Sequence, residues 1–371
     1  MRILIVAAET SADVHGSNLA RELKSLRPGI ELIGTGGQFM REAGVEILHD
    51  PTRHASIGPI EALKNIGRYA KMYRTLVSTL RSRKPDGVVL IDAPDFNLRY
   101  AERVHDSGIP IAYYISPQIW AWRKSRVKTV KRLVKKMIVI LDFEEKFYRD
   151  AGVDAVFVGH PLLDTKKEVD RDAFRKKADL VIGLLPGSRW KQFKSLFPLM
   201  LESAALIRRD FPKARFLVGC APIIDRDRIE EFRKASPVEF EAVWNQTPEV
   251  MASSDLLITA SGTATLEAAI YGTPMIVTYR MNPIAAYTLG YIVSRNLKIW
   301  ALPNIIAGRY VVPELYQWKA KAPLIAKEAV SMIRDGRLPT IRKELGEICT
   351  RLGKPGASRR AAEECLKTFG V

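Results

Sequence analysis

Two carboxylates close an apolar run in LIDAPDFNLR, residues 90 to 99, where Asp92 and Asp95 flank Ala93-Pro94. Asp and Pro build turns and helix caps. Carboxylates at the carboxyl edge of a parallel sheet also sit where such folds bind ligands. A second polar turn, AAETSADVHGS, offers Glu9, Thr10, Ser11 and Asp13. Ser11 or Asp13 fits a helix N-cap. Capping does not need four polar side chains together, so the turn also reads as a ligand contact.

Later in the chain, LLPGSR sets Gly187-Ser188-Arg189 between a strand and a helix, and ASGTATLEA does the same with Ser261-Gly262-Thr263. Gly permits close backbone approach, a helix start presents free N–H groups, and Arg189 adds a charged fork. One such turn is ordinary helix-start chemistry; two in the same half point to an anion site. Neither is a P-loop, because the Gly-Lys-Ser/Thr ending is absent. No G-x-G-x-x-G follows the first strand. Glu267 lies one helical turn beyond Thr263 and suits the two hydroxyls of a ribose, or simply a helix N-terminus. His15 and His160 are isolated and read as structural, and no H-E-x-x-H or other metal-ligand pattern occurs. Neither a metal nor a cofactor is expected.

These residues need elements to hold them. Short apolar runs recur at 2–8, 31–36, 45–50, 87–93, 110–116, 136–142 and 155–160, with helical spacing between them. Leu19, Leu23 and Leu26 are one such helical set. Continuous apolar runs suit strands buried on both faces, and their alternation with helices predicts a parallel sheet. A charged stretch, 164–179, interrupts the pattern, which restarts at 180–187, 214–220, 238–244, 255–262 and 274–280. The reading is α/β: two doubly wound, Rossmann-like domains, 1–163 and 180–354, facing across a cleft and joined by a 164–179 linker. A C-terminal helical segment, 355–371, has apolar spacing at Ala361, Ala362 and Cys365 and is expected to pack back on the first domain.

The chain has 371 residues and a formal net charge of +17, which calls for an anionic partner. Three sparse cysteines, Cys220, Cys349 and Cys365, argue against a disulfide framework and for a reducing compartment. The first strand begins at once, leaving no secretion signal, and no run is long and apolar enough to span a membrane. WAWRKSRVKTVKRLVKK, residues 120–136, has eight basic residues, no acidic one and two tryptophans. It reads as a solvated helix face or as an anionic-membrane contact through Trp120, Trp122, Arg123, Lys124, Arg126, Lys128, Lys131 and Arg132. An amphipathic pattern at 59–82 with Arg68, Lys71, Arg74 and Arg81, and the apolar segment 281–294, would extend that rim. No nucleic-acid module is recognisable, so nucleic acid is not the expected partner.

Taken in order, AAETSADVHG, IDAPDFN, YYISPQIWAWR, VGHPLLD, LLPGSR, ASGTATLEA, VTYRMNP and LPNIIAGRYVVPELYQ resemble the lipid-A-disaccharide synthase family over essentially the whole chain. The resemblance implies an inverting glycosyltransferase of GT-B architecture that needs no catalytic metal. It implies transfer from UDP-2,3-diacylglucosamine to 2,3-diacylglucosamine 1-phosphate, giving a β-1,6-linked disaccharide 1-phosphate and UDP. It also implies a peripheral protein on the cytoplasmic face of the inner membrane. By the same resemblance Asp95 is the general base, with Asp92 as the alternative. Arg189 and the helix starts after Gly187 and Gly262 hold the diphosphate, Glu267 the ribose, and Asn304 and Gln317 complete the donor pocket. The family's first turn usually reads G-E-x-S-G-D; here Ala8 and Ala12 replace both glycines, which would be strained if either needs positive φ. Rival readings are another GT-B UDP-sugar enzyme, including a UDP-sugar 2-epimerase, and a non-enzymatic basic membrane-binding protein.

Overall fold

The computed structural model describes residues 1–52, 59–122, 124–175, 178–280 and 299–370, without the side chains of 59–66, 121, 122 and 124. The chain divides into two compact units, residues 1–165 with 352–371, and residues 166–351.

The first unit is a seven-stranded parallel sheet in the order β3-β2-β1-β4-β5-β6-β7. Its strands are β1 (Arg2–Ala7), β2 (Glu31–Thr35), β3 (Glu46–His49), β4 (Gly87–Ile91), β5 (Ile111–Tyr114), β6 (Lys136–Val139) and β7 (Ala155–Phe157). Its helices are α1 (Thr10–Leu26), α2 (Gln38–Glu42), α3 (Pro59–Arg83), α4 (Pro94–Asp106), α5 (Ile119–Trp122), α6 (Val127–Leu133) and α7 (Asp142–Asp150). β1 lies at the centre, paired with β2 through Ile5↔Gly34 and with β4 through Ile5↔Val89.

The apolar runs are continuous because successive side chains feed two different cores. Leu4, Val6, Val88 and Leu90 join Met72, Leu76 and Leu80 of α3 and Tyr100 and Val104 of α4 on one face. Ile3, Ile5, Ala7, Val89 and Ile91 join Leu19 and Leu23 of α1 on the other. The i, i+4 spacing of Met72, Leu76 and Leu80 places one stripe of α3 on the sheet.

The second unit has a six-stranded parallel sheet in the order β10-β9-β8-β11-β12-β13. Its strands are β8 (Val181–Leu185), β9 (Arg215–Cys220), β10 (Glu241–Trp244), β11 (Leu256–Ala260), β12 (Met275–Tyr279) and β13 (Glu314–Tyr316). Its helices are α8 (Trp190–Asp210), α9 (Arg226–Ala235), α10 (Thr247–Ser253), α11 (Thr263–Ile270), α12 (Leu302–Ala307), α13 (Ala322–Arg334) and α14 (Leu338–Arg351). β13 is absent from the apolar runs because it is three half-buried residues behind Pro313.

The last helix, α15 (Ala357–Thr368), packs on α1, β5 and β6 of the first unit, with Ala361, Ala362 and Cys365 in its core. Asp164, read as the start of a linker, caps it: the carboxylate accepts from the backbone N–H of Gly356, Ala357 and Ser358 at 2.6–3.1 Å. Arg175 of the same charged stretch pairs with Asp255 at 3.0 Å inside the second unit.

Candidate active site

In both sheets the strand order reverses next to the first strand of the unit, between β1 and β4 and between β8 and β11. Such switch points leave a crevice at the carboxyl edge, where doubly wound folds take ligands. The loops and helix starts after β1, β4, β8 and β11 hold Glu9–Ser11, Asp92–Asp95, Gly187–Arg189 and Ser261–Thr263. The polar turns read from the sequence therefore fall at the two switch points.

In the first unit, the turn after β4 is held by its backbone. Asp92 and Ala93 adopt φ of 47° and 44°. Left-handed conformations at two successive non-glycine residues persist only when the surroundings enforce them. Tyr113 Oη donates to the Asp92 carbonyl at 2.6 Å, and Asn97 Nδ2 donates to the carbonyls of Ile91 and Asp92 at 3.0 and 2.8 Å. Pro94, with fixed φ, then opens α4 and sets Asp95 in its first turn. The two carboxylates part there. Asp92 is half-buried, and desolvation, with the charge of Glu9 next, raises its carboxyl pKa. Asp95 is 76% exposed and its Oδ1 lies 2.6 Å from Arg126 Nη2. Both line a cavity of about 330 Å3 with Ser116, Gln118, Arg126 and Glu144.

The turn after β1 is organised differently from the expectation. Glu9, not Ser11 or Asp13, is the N-cap of α1, without a side-chain capping bond. Asp13 is buried, and its carboxylate accepts from the N–H groups of Gly37, Phe39 and Met40 at 2.7–3.1 Å. It caps α2 and has its oxygens occupied, so the exposed residues of this turn are Glu9, Thr10 and Ser11. Ala8 and Ala12 are not among the positive-φ residues, so alanine at these two positions carries no left-handed strain.

In the second unit Gly187 and Gly262 adopt φ of 109° and 146°, conformations that favour glycine. A Cβ on Gly187 would also stand 2.4 Å from Gln192 Oε1. Ser188 and Arg189 are exposed before α8, and Gly262 and Thr263 are exposed at the start of α11. Two helix N-termini thus open beside one switch point. Glu267 is one turn into α11, and burial raises its carboxyl pKa. Gln317 follows β13 at the same edge with φ of 51°.

Asn304 departs from its expected role. It is fully buried: Nδ2 donates to Val312 O and Glu314 Oε1, and Oδ1 accepts from Val311 N and Val312 N, at 2.7–2.9 Å. Its carboxamide has no capacity left for a ligand and instead ties α12 to β13. A larger concavity of about 650 Å3 lies at the opposite, amino-terminal edge of this sheet, where Arg215 pairs with Glu241 at 2.5 Å.

The basic stretch is less one-sided in three dimensions than in sequence. Arg126, Arg132 and Lys136 pair with Asp95, Glu102 and Asp154 from neighbouring elements at 2.5–2.6 Å. Trp120 is no exposed interfacial aromatic: its indole N–H donates to buried Glu144 at 2.9 Å. Lys128, Lys131 and Arg132 do face solvent. The side chains of Trp122, Arg123 and Lys124, and the 281–294 segment, lie outside the described residues.

His15 and His160 are drawn in from solvent. His160 Nδ1 accepts from Leu162 N, and burial lowers the pKa of both His15 and His160 to about 4. Among the described residues no three His, Cys, Asp or Glu gather as metal ligands, and no helix is long and apolar enough to cross a membrane. Sequence reasoning missed Glu144 and Ser116. Glu144 read as an ordinary helix-start acid, and no local signal marks either residue.

Two parallel-sheet α/β units with glycine turns at the switch point of the second have the GT-B fold. MurG of Acinetobacter baumannii matches with a TM-score of 0.61 at 13% identity, covering 99% of both chains. UDP-GlcNAc 2-epimerase of Neisseria meningitidis, solved bound to UDP-GlcNAc, matches at 0.66 and 13%, covering 99% of this chain and all of that one. Residues 3–368 match the family model described as lipid-A-disaccharide synthetase. Lipid-A-disaccharide synthase of Myxococcus xanthus is 40% identical over 99% of this chain and 97% of its own length. That of Geobacter sulfurreducens is 40% identical over 100% and 97%. The chain belongs to the lipid-A-disaccharide synthase family.

Proposed function

We propose that the protein transfers 2,3-diacylglucosamine from its UDP derivative to 2,3-diacylglucosamine 1-phosphate with inversion, at the cytoplasmic face of a membrane. The family match over residues 3–368 carries this reading. The first unit takes the acceptor and the second the donor. Asp95 accepts the proton of the acceptor's 6-hydroxyl. The new bond forms from that oxygen to the anomeric carbon of the donor, while the bond from that carbon to the diphosphate breaks and its electron pair leaves with UDP. Inversion gives the β-1,6 linkage.

Several features support the roles. Asp95 is an exposed carboxylate at a cavity rim, placed by an enforced turn. Asp92, half-buried beside Glu9, sits in that turn and is the alternative base. Arg189 and the starts of α8 and α11 supply counter-charge for the diphosphate where negative charge grows during bond breaking. Glu267 suits the ribose hydroxyls, with Gln317 at the same edge. Glu9, Thr10 and Ser11 are available to the acceptor side. Lys128 and Lys131 are available to anionic headgroups, beside Arg132, which pairs with Glu102.

The test is product analysis. Purified protein with both acylated sugars, and no added metal, is expected to give a disaccharide 1-phosphate by mass spectrometry with a β linkage by NMR. An α linkage, or no disaccharide from folded protein, contradicts the reading.

A further inference from the structure

The cavity of the first unit is built for more than a neutral sugar. Arg126 and Asp95 meet on its rim at 2.6 Å. Ser116 and Glu144 line its interior, 5% and 2% exposed. Glu144 Oε1 accepts from Trp120, and the Glu144 carboxyl also engages the neighbouring Ser116 hydroxyl. Asp92 and Ile115, both at positive φ, flank the same space. Left-handed φ at a β-branched residue such as Ile115 marks enforced geometry, the kind concentrated at ligand sites. A cation and a carboxylate on the rim, with polar side chains lining the interior of this volume, describe a subsite for a phosphorylated sugar.

We propose that Arg126 binds the acceptor's phosphate, and that the phosphate takes Arg126 from Asp95 as it binds. This rests on the glycosyl-transfer reading above. In a glucosamine 1-phosphate, the phosphate-bearing carbon and the carbon carrying the 6-hydroxymethyl group flank the same ring oxygen. Nucleophile and anion therefore leave the ring at neighbouring corners, and an adjacent carboxylate and guanidinium complement them. Without ligand, the two protein groups neutralise each other. With acceptor bound, each meets its own substrate group. A phosphate monoester carries more charge than a carboxylate and accepts the same two-pronged donation from arginine, so the exchange is downhill. Phosphate binding and release of Asp95 Oδ1 toward the 6-hydroxyl become one event. An acceptor without phosphate loses kcat as well as KM.

The experiment uses the full chain, and its first arm needs no turnover. Equilibrium binding of water-soluble glucosamine 1-phosphate and glucosamine is compared in wild type, Arg126→Met and Arg126→Lys, with thermal midpoints confirming folded variants. Phosphate is expected to improve binding at least about tenfold in wild type, less than about twofold in Arg126→Met, and by an intermediate factor in Arg126→Lys. Equal binding of the two sugars by wild type, or a phosphate preference kept by Arg126→Met, overturns the assignment. In the second arm, removing the phosphate from the acylated acceptor is expected to lower wild-type kcat by about tenfold or more, with no phosphate dependence of kcat in Arg126→Met. A phosphate effect confined to KM overturns the coupled release. Phosphate binding through Arg126 without disaccharide formation would instead sink the glycosyl-transfer reading and leave the anion subsite standing.

Discussion

Trp120 donates its indole N–H to Glu144 across 2.9 Å, and the edge of Phe143 meets the same indole at a 5.0 Å centroid distance. The bond ties the start of α5 to α7, so a tryptophan that looked interfacial instead supports Glu144, a residue of the cavity wall. Burial lifts the Glu144 carboxyl to about 7, so the group is largely protonated below neutrality.

This has a consequence for stability. Between the ordinary carboxyl value near 4.5 and about 7, the folded chain holds a proton that the unfolded chain has lost. Stability therefore falls as pH rises through that window, by on the order of 3 kcal/mol in total. Glu144→Gln removes this slope. The thermal midpoint of the variant, relative to wild type, is expected to rise from pH 5 to pH 8. A constant difference would show that Glu144 is ionised throughout.

Asn304→Ala should damage the fold rather than donor recognition. It leaves two buried N–H groups, a carbonyl and the Glu314 carboxylate short of a partner. Loss of about 2–4 kcal/mol of stability is expected, with UDP affinity of the folded fraction changed by less than about threefold. Unaltered stability with lost UDP binding would return Asn304 to the donor pocket.

Lys128 and Lys131 face solvent on α6. Replacing both by alanine should weaken binding to anionic vesicles by roughly 2 kcal/mol, about thirtyfold, with no change on neutral vesicles. The anionic binding of wild type should fade as salt rises. Equal binding of variant and wild type at low salt would place the membrane contact elsewhere.

The sheet was legible because strands buried on both faces are continuous apolar runs, and twelve of the thirteen strands among the described residues coincide with such runs. β13 was not, because three residues behind a proline show no periodicity. Polar turns at strand ends were legible because Gly, Ser and Asp sit in few other contexts there. Which polar atoms are already occupied was not. Asp13 is held by backbone groups 24–27 residues away, and Asn304 by backbone groups and the Glu314 carboxylate 7–10 residues away, and only the folded chain shows it. The basic run misled for the same reason: Glu102 and Asp154, which neutralise part of it, come from other segments. The cavity wall of Ser116 and Glu144 is assembled from the loop after β5 and from α7, with no shared motif.

The central claim is a displacement in which the acceptor's hydroxyl expels UDP with Asp95 taking the proton. The direct measurement is the rate of UDP release from the acylated donor, with and without the acylated acceptor, in wild type, Asp95→Asn and Asp92→Asn. UDP release that requires the acceptor, and that falls by about a thousandfold or more in Asp95→Asn with a smaller loss in Asp92→Asn, is the expected result. UDP release independent of acceptor, or near-normal turnover by folded Asp95→Asn, would contradict it.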